Sequence, residues 1–357
     1  MSSLVRTSRS PSHILLTALL AIASLGLLAL GPSPVHAQNT YVVDSNGDAD
    51  DANLGDGICE TSGGVCTLRA AIQEANQTTN NDNIEFDIPQ TGNFSVITPS
   101  AEFVVTEPVT IDGSTSPAYP SSISGPAIEL DGTNLSSSFD DGIQIEASNV
   151  TVEALGINGF PDEGIDVFSG NTNVTIRDCF VGIAIDDGET ERGNLANPDD
   201  SDDAGIHVVS DATVNNNLVS ANAGDGILVT GDNNTVINNI VGLDHNTDAA
   251  KGNAGNGVFV SGGTGNLIGN AFFDPVLGFT FYNGNTISAN DDAGVLITGD
   301  DNDVRANDLG TNGSGTAFPN STGIVLEGTA SDDPAENNRI GSSNDLHQNT
   351  VSGNQFN

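Results

Sequence analysis

Carboxylates crowd one stretch of this chain. Asp186-Asp187, Glu189, Glu191, Asp199-Asp200 and Asp202-Asp203 all fall between positions 186 and 203. Clustered hard oxygen donors are what Ca²⁺ requires, so Asp186, Asp187, Glu189, Asp202 and Asp203 are candidate cation ligands. The competing reading is a solvated acidic face that holds water and counter-ions. Glycoside hydrolysis uses two carboxyl groups about 5–9.5 Å apart. With 48 Asp and Glu in the chain, such pairs arise by chance and single out no catalytic acid. Asp44-Ser45-Asn46-Gly47-Asp48-Ala49-Asp50 starts like a calcium loop. It then places Ala49 and Gly55 where the EF-hand pattern needs Gly and Glu, which leaves at most an isolated cation site. His207 stands alone between Ile206 and Val208 and should face outward. No nucleophile elbow and no phosphate loop occurs.

A second stretch offers different chemistry. Phe272, Phe273, Phe279, Phe281 and Tyr282 bring together five of the chain's 14 Phe and 3 Tyr, and the chain has no Trp. Aromatic faces stack on sugar rings, so these five are the candidate substrate-binding residues. The alternative is a loop folded back over an apolar side of the coil. Cys59 and Cys66 flank a short Gly-containing loop and are expected to form a disulfide after export. Cys179, among apolar neighbours, reads as a buried thiol.

The start of the chain is an export signal in plan. Arg6, Arg9 and His13 precede an uncharged apolar run from Ile14 to Leu30. Pro32 and Pro34 break it, and Val35-His36-Ala37 offers a cleavage site after Ala37. The rival is an uncleaved anchor, for which the run is short against about 20 residues per span. No comparable run follows, so no later transmembrane helix is expected, and the protein should be extracellular or at the cell surface. Beyond residue 37 the formal charge is 6 − 48 = −42. Such a surface repels nucleic acid and anionic lipid.

What positions these groups is a repeat. A phrase of acid or small residue, Gly, then alternating β-branched residues recurs around Gly142, Gly164, Gly205, Gly226, Gly257, Gly294 and Gly323. The steps are 22, 41, 21, 31, 37 and 29 residues. An Asn-rich phrase follows, as in Asn149-Val-Thr-Val152, Asn173-Val-Thr-Ile176 and Asn234-Thr-Val-Ile237. Each segment has period 2 and is too short to stand alone. Gly and Asn supply the positive-φ corners between them. Stacked turns bury a continuous Val/Ile column. The fold class is therefore all-β: a right-handed parallel β-helix, a solenoid of three short strands per coil. A leucine-rich horseshoe would need Leu at fixed offsets, and the apolar slots here are mostly Ile and Val. Long excursions follow Gly182, Gly242 and Gly310, which lie 60 and 68 residues apart. The larger unit is thus two coils, one of them looped, and the loops should align along one edge. That edge is a candidate functional surface.

The N-terminal end needs a plug, because an open coil exposes strand edges and core. Leu68, Ile72 and Ala75 share one helical face, and Thr67 is the expected N-cap. Asp56-Gly57-Ile58-Cys59 and Cys66-Thr-Leu-Arg-Ala-Ala-Ile-Gln-Glu-Ala-Asn76 resemble the motif of bacterial CSLREA-domain proteins. Thr67 stands for the motif's Ser and Ala70 for its usual Glu. Val109-Thr-Ile-Asp-Gly113 and Ala127-Ile-Glu-Leu-Asp-Gly132 continue the likeness across 40–357. The resemblance implies a secreted β-helix with PbH1-type, pectate-lyase-like coils. It divides the chain into a signal (1–37), a capping segment (38–83) and the β-helix (84–357).

By that analogy, a polysaccharide lyase would use Ca²⁺ and an Arg or Lys base, and Arg177 and Arg192 are the candidates. Arg177 also aligns with Glu153 one coil earlier, which makes a ladder ion pair the simpler reading. Two functions follow. One is engagement of an extracellular acidic polysaccharide by binding, with cleavage as a lyase or glycoside hydrolase left open. The other is a non-enzymatic surface or adhesion module. The last phrase, Asn349-Thr-Val-Ser-Gly-Asn-Gln-Phe-Asn357, carries no cap. Two expectations follow: a chain cut short at that point, or association through an uncovered C-terminal coil.

Overall fold

The computed structural model describes residues 38–89, 92–120, 125–194, 203–274, 277, 279–328, 335–341 and 348–356, with backbone only at 273 and 274. The segment 1–37, with the expected signal and cleavage site, lies outside them. The described residues form a right-handed parallel β-helix of three sheets, with ten strands in sheet 1, eight in sheet 2 and nine in sheet 3. One coil runs from Ile165–Val167 in sheet 2 to Thr175–Arg177 in sheet 1 and Phe180–Val181 in sheet 3. Each strand pairs in parallel with its counterparts one coil below and one above.

Alternation explains which residues enter. In sheet 2 the pairs Ile143/Ile145, Ile165/Val167, Ile206/Val208 and Ile227/Val229 stack in register and are fully buried. Val152, Ile176, Val214 and Val236 do the same in sheet 1, as do Ile157, Val181, Val219 and Val241 in sheet 3. Full burial of such a side chain contributes about 1.5–3 kcal/mol against an exposed one. Cys179 lies inside this column at 0% exposure.

The corners hold two kinds of Asn. Asn216, Asn233 and Asn238 turn the chain at φ of 59°, 59° and 57°. Their neighbours Asn217, Asn234 and Asn239 are buried and build ladders from coil to coil. One ladder runs Asn217, Asn239, Asn285, Asn307, Asn349, each side-chain amide donating to the next Oδ1 at 2.9–3.1 Å. A second runs from Asn194 through Asn222, Asn253, Asn290 and Asn320 to Asn354. A third links Asn234, Asn266 and Asn302.

The plug is helix α1, Leu68–Ala75. Thr67 Oγ1 accepts from Ala70 N at 3.1 Å, and Leu68, Ala71, Ile72 and Ala75 close the end of the core. Cys59 and Cys66 are bonded to each other. The strand Thr40–Val43 is already part of sheet 1 and pairs with Asp82–Phe86, so that sheet begins within the capping segment. The calcium-like loop serves this cap. Asp48 pairs with Arg69 at 2.9 Å, Asp44 accepts from Cys66 N and Asp50 from Gln73. Arg69 also donates to Ala101 O and lies 4.8 Å over the Phe103 ring.

At the other end, the outermost strands Thr322–Leu326, Arg339–Ile340 and Thr350–Val351 carry Leu326 and Ile340 at 47% and 41% exposure. No helix among the described residues is long and apolar enough to cross a membrane.

Candidate functional site

The excursions fall where the repeat places them. Each leaves sheet 3 and returns toward sheet 2, closed at its neck by the bridges Ile183↔Glu191, Leu243↔Ala250 and Thr311↔Ala317. A glycine opens each one. Gly182 and Gly242 have φ of +86° and +91°, and a Cβ there would lie 2.1 and 2.0 Å from the carbonyl oxygens of Ser220 and Ser288. The loops contact one another along one edge: His245 N donates to Gly188 O, and Asn312 Nδ2 to Thr247 O.

Among the described residues, the candidate ligands of the first excursion are not gathered into one carboxylate cluster. Asp187 accepts from Glu189 N, Thr190 N and Thr190 Oγ1 at 2.6–2.8 Å. Partial burial works against ionisation there, but the bonds from Thr190 and Glu189 hold the carboxyl below its ordinary range. Asp186 and Glu189 are exposed. Asp202 lies outside the described residues, and the backbone oxygen of Asp203 accepts from Asp225 N in the next coil.

Both candidate bases are committed. Arg177 pairs with Glu153 in the register expected, and its other arm reaches Asp178 at 3.5 Å. Burial, with Asp112 on the next strand, pushes Glu153 up to about 7. Arg192 reaches Glu129 Oε1 at 2.6 Å, where Asn158 Nδ2 also donates. Glu129 is 1% exposed, and its burial raises its pKa against the pull of Asn158 and Arg192.

The aromatic segment is an antiparallel hairpin, Ala271–Asp274 with Phe279–Tyr282, inserted between sheets 1 and 3. Phe272 and Phe281 stack with centroids 5.0 Å apart, and Phe279 and Tyr282 are 68% and 64% exposed. Phe273 occupies a register position opposite Thr280; its side chain lies outside the described residues. The hairpin and the acidic excursion thus sit at different corners of the coil and do not form one site.

A third place combines acids and aromatics, and sequence reading passed over it. In the turns from sheet 3 into sheet 2, carboxylate oxygens of Asp141, Asp162 and Glu163 lie within 4.8 Å of one another. All three residues are buried, at 6–8% exposure. They line a cleft of about 340 Å³ with Glu102, Gln144, Asp166 and the exposed rings of Phe139 and Phe168. Burial is the main force raising the pKa of Asp141 and Glu163. Their mutual hydrogen bond and repulsion raise Glu163 the further. Glu102 is likewise raised by burial, against a bond from the Asp141 backbone. Next to the cleft, His207 Nδ1 lies 2.7 Å from Asp166 Oδ1 and Nε2 lies 2.8 Å from Thr230 Oγ1. His207 faces off the coil as expected but is nearly buried by these partners. The signal available in sequence was the pairing of Asp141-Gly142 with Glu163-Gly164, 22 residues on. These phrases read there only as repeat markers.

No family model matches the chain, and no curated protein does. Among solved structures it is similar to the Dettilon tailspike protein, at 12% identity and a TM-score of 0.52, over 90% of this chain. The chain spans 55% of that protein's length. The mannuronan C-5 epimerase AlgE6 A-module of Azotobacter vinelandii aligns over 95% of this chain and 93% of its own, at 16% identity and a TM-score of 0.43. The pectate lyase Pel9A aligns over 85% and 80%, at 12% identity and 0.38. The tailspike likeness shows a shared parallel β-helix fold.

Proposed function

We propose that this protein is a secreted β-helix that engages an extracellular acidic polysaccharide at the cleft beside sheet 2, through Ca²⁺ held by Asp141, Asp162 and Glu163. The observation that carries this reading is the convergence of three buried carboxylates beside two exposed phenyl rings. Every Lys and Arg beyond residue 37 has an acidic partner elsewhere: Asp48, Glu153, Glu129, Glu191 and Asp303 take them. Carboxylates buried side by side are expensive to ionise together. Three hard oxygen donors converging on one point suit Ca²⁺. When bound, the ion supplies positive charge that offsets the carboxylates and attracts a sugar carboxylate. Phe139 and Phe168 offer faces to the rings on either side, and Gln144 offers an amide to their hydroxyls.

Binding without turnover is the better-supported form. Arg177 and Arg192 are each held by a carboxylate, so neither is poised as a base. That same observation favours the second reading, a non-enzymatic surface module. Calorimetry with Ca²⁺ and then with uronic-acid oligomers tests the proposal. Heat from both, lost in Glu163→Gln, supports it. No heat from Ca²⁺ in the wild-type protein overturns it.

A further inference from the structure

The outer side of sheet 3 carries a second cleft, on different residues and at a different corner. Phe180 and Leu218 form its floor, stacked in register and 7% and 2% exposed. Tyr119 and His245 wall it, the His245 ring 5.3 Å from that of Phe180 and tilted by 40°. Asp178, Asn216 and Asn238 line the rim. These three turn successive coils at φ of 57–59°, so they form a polar column at one coil's spacing, about 4.8 Å. Asn216 Nδ2 donates to Asp178 Oδ1 at 2.5 Å, and Asn238 Nδ2 to Asn215 Oδ1 at 2.9 Å. The cleft encloses about 150 Å³.

We infer that this cleft is a subsite for a single neutral sugar ring, bound without a metal ion. An apolar floor with aromatic walls takes the C–H face of a pyranose. A row of planar amide and carboxylate groups, spaced by one coil, matches alternate hydroxyls around such a ring. Its small volume suits one ring and not an extended chain. The electrostatics select against a uronate. Asp178 lines the cleft, Glu153 and Asp112 stand opposite each other on adjacent strands of sheet 1, and Arg177 is already paired with Asp178 and Glu153. The aromatic hairpin extends the surface. Its neck residue Asn283 accepts from Asn238 N, as Ile237 accepts from Asn216 N and Asn215 from Asp178 N. The hairpin thus springs from the next position in the same corner column. Rings beyond the first have Phe279 and Tyr282 available to stack on.

The inference stands apart from the cation-dependent cleft, and a chelator separates the two. The test is titration of the full-length mature protein with neutral gluco-, manno- and galacto-oligosaccharides in EDTA, read by calorimetry and by NMR. At least one of the three should bind. Ile240 lines the cleft in register with Leu218, so Ile240→Trp, which fills it, and His245→Ala, which removes a wall, should each weaken binding about tenfold or more. Ca²⁺ uptake and the melting temperature should be unchanged in Ile240→Trp, which shows that the variant is folded. Silence of all three sugars overturns the inference, as does binding that Ile240→Trp leaves intact. Stronger binding of a uronate than of a neutral sugar in this chelated state also overturns it.

Discussion

The side-chain amide of Asn239 donates to Asn285 Oδ1 at 3.0 Å, although 46 residues separate the two. Asn285 in turn donates from Nδ2 to Val236 O and from both Nδ2 and its backbone N to Asn307 Oδ1. Leucine at this position would leave several buried donors and acceptors unmet, each costing about 1–3 kcal/mol. Asn285→Leu should therefore lower stability by about 3–5 kcal/mol in denaturant melts. Asn285→Asp should cost as much at neutral pH, because it loses both amide donors and buries a charge. A cost below about 1 kcal/mol for either would show that the ladder does not hold the coils together.

The hairpin lies within that interval and leaves the ladder intact. Asn270 and Asn283 face each other across its neck, with backbone bonds of 3.2 and 2.7 Å. Replacing 271–282 by a two-residue Asn-Gly turn should change stability by less than about 1 kcal/mol, since it removes exposed rings and shortens a loop. Binding of longer neutral oligosaccharides should weaken while that of a single ring stays. A large loss of stability would mean that the hairpin covers core after all.

Arg192 and Glu129 form a partly buried pair that ties the first excursion to sheet 3. Removing the guanidinium strands a carboxylate that is 1% exposed. Arg192→Ala should cost about 2–4 kcal/mol at neutral pH. Glu129→Gln combined with Arg192→Ala should recover part of it. A fully stable Arg192→Ala variant would return Arg192 to the list of residues available for chemistry.

Asp225 gives a pH signature away from both clefts. Burial lifts its carboxyl to about 6, against bonds from Asn256 N and Nδ2. A folded pKa raised above the unfolded value means that the native state binds the extra proton. Stability therefore falls as pH rises from about 4 through 6 and does not return above it. Asp225→Asn keeps the Oδ1 acceptor and places an amide where the next coil has Asn256. It should stabilise the protein by about 1–2 kcal/mol at pH near 7 and flatten the profile in that window. Thermal melts across pH check both.

At the acidic cleft, Ca²⁺ should raise the melting temperature, and the effect should shrink as pH falls, because protons compete for the same oxygens. Asp162→Asn and Glu163→Gln should each lose most of it. Asp187→Asn should not, since that carboxylate is spent on Thr190 and Glu189. Equal losses in all three variants would point to a diffuse acidic surface as the cation's holder.

Sequence by itself determined the solenoid, its two-coil unit and the helix that plugs it. Those rest on local period, on glycine at corners and on Thr67 beside one apolar helical face, all readable in short windows. It also carried the Glu153–Arg177 alignment, because one coil's spacing is countable. Only the tertiary structure decided which residues share a site. Asn233 and its neighbour Asn234 are indistinguishable in sequence, yet one turns the chain in the open and the other is a buried ladder rung. Asp187 had the composition of a cation ligand, but its own loop's backbone and the Thr190 hydroxyl took its oxygens. Asp141 and Glu163 looked like repeat punctuation, and stacking brought them together with Asp162 in a buried corner. The physical reason is the same in each case. Period and turn chemistry act within a coil, whereas burial and convergence of side chains arise between coils, where excursions of unequal length separate neighbours along the chain.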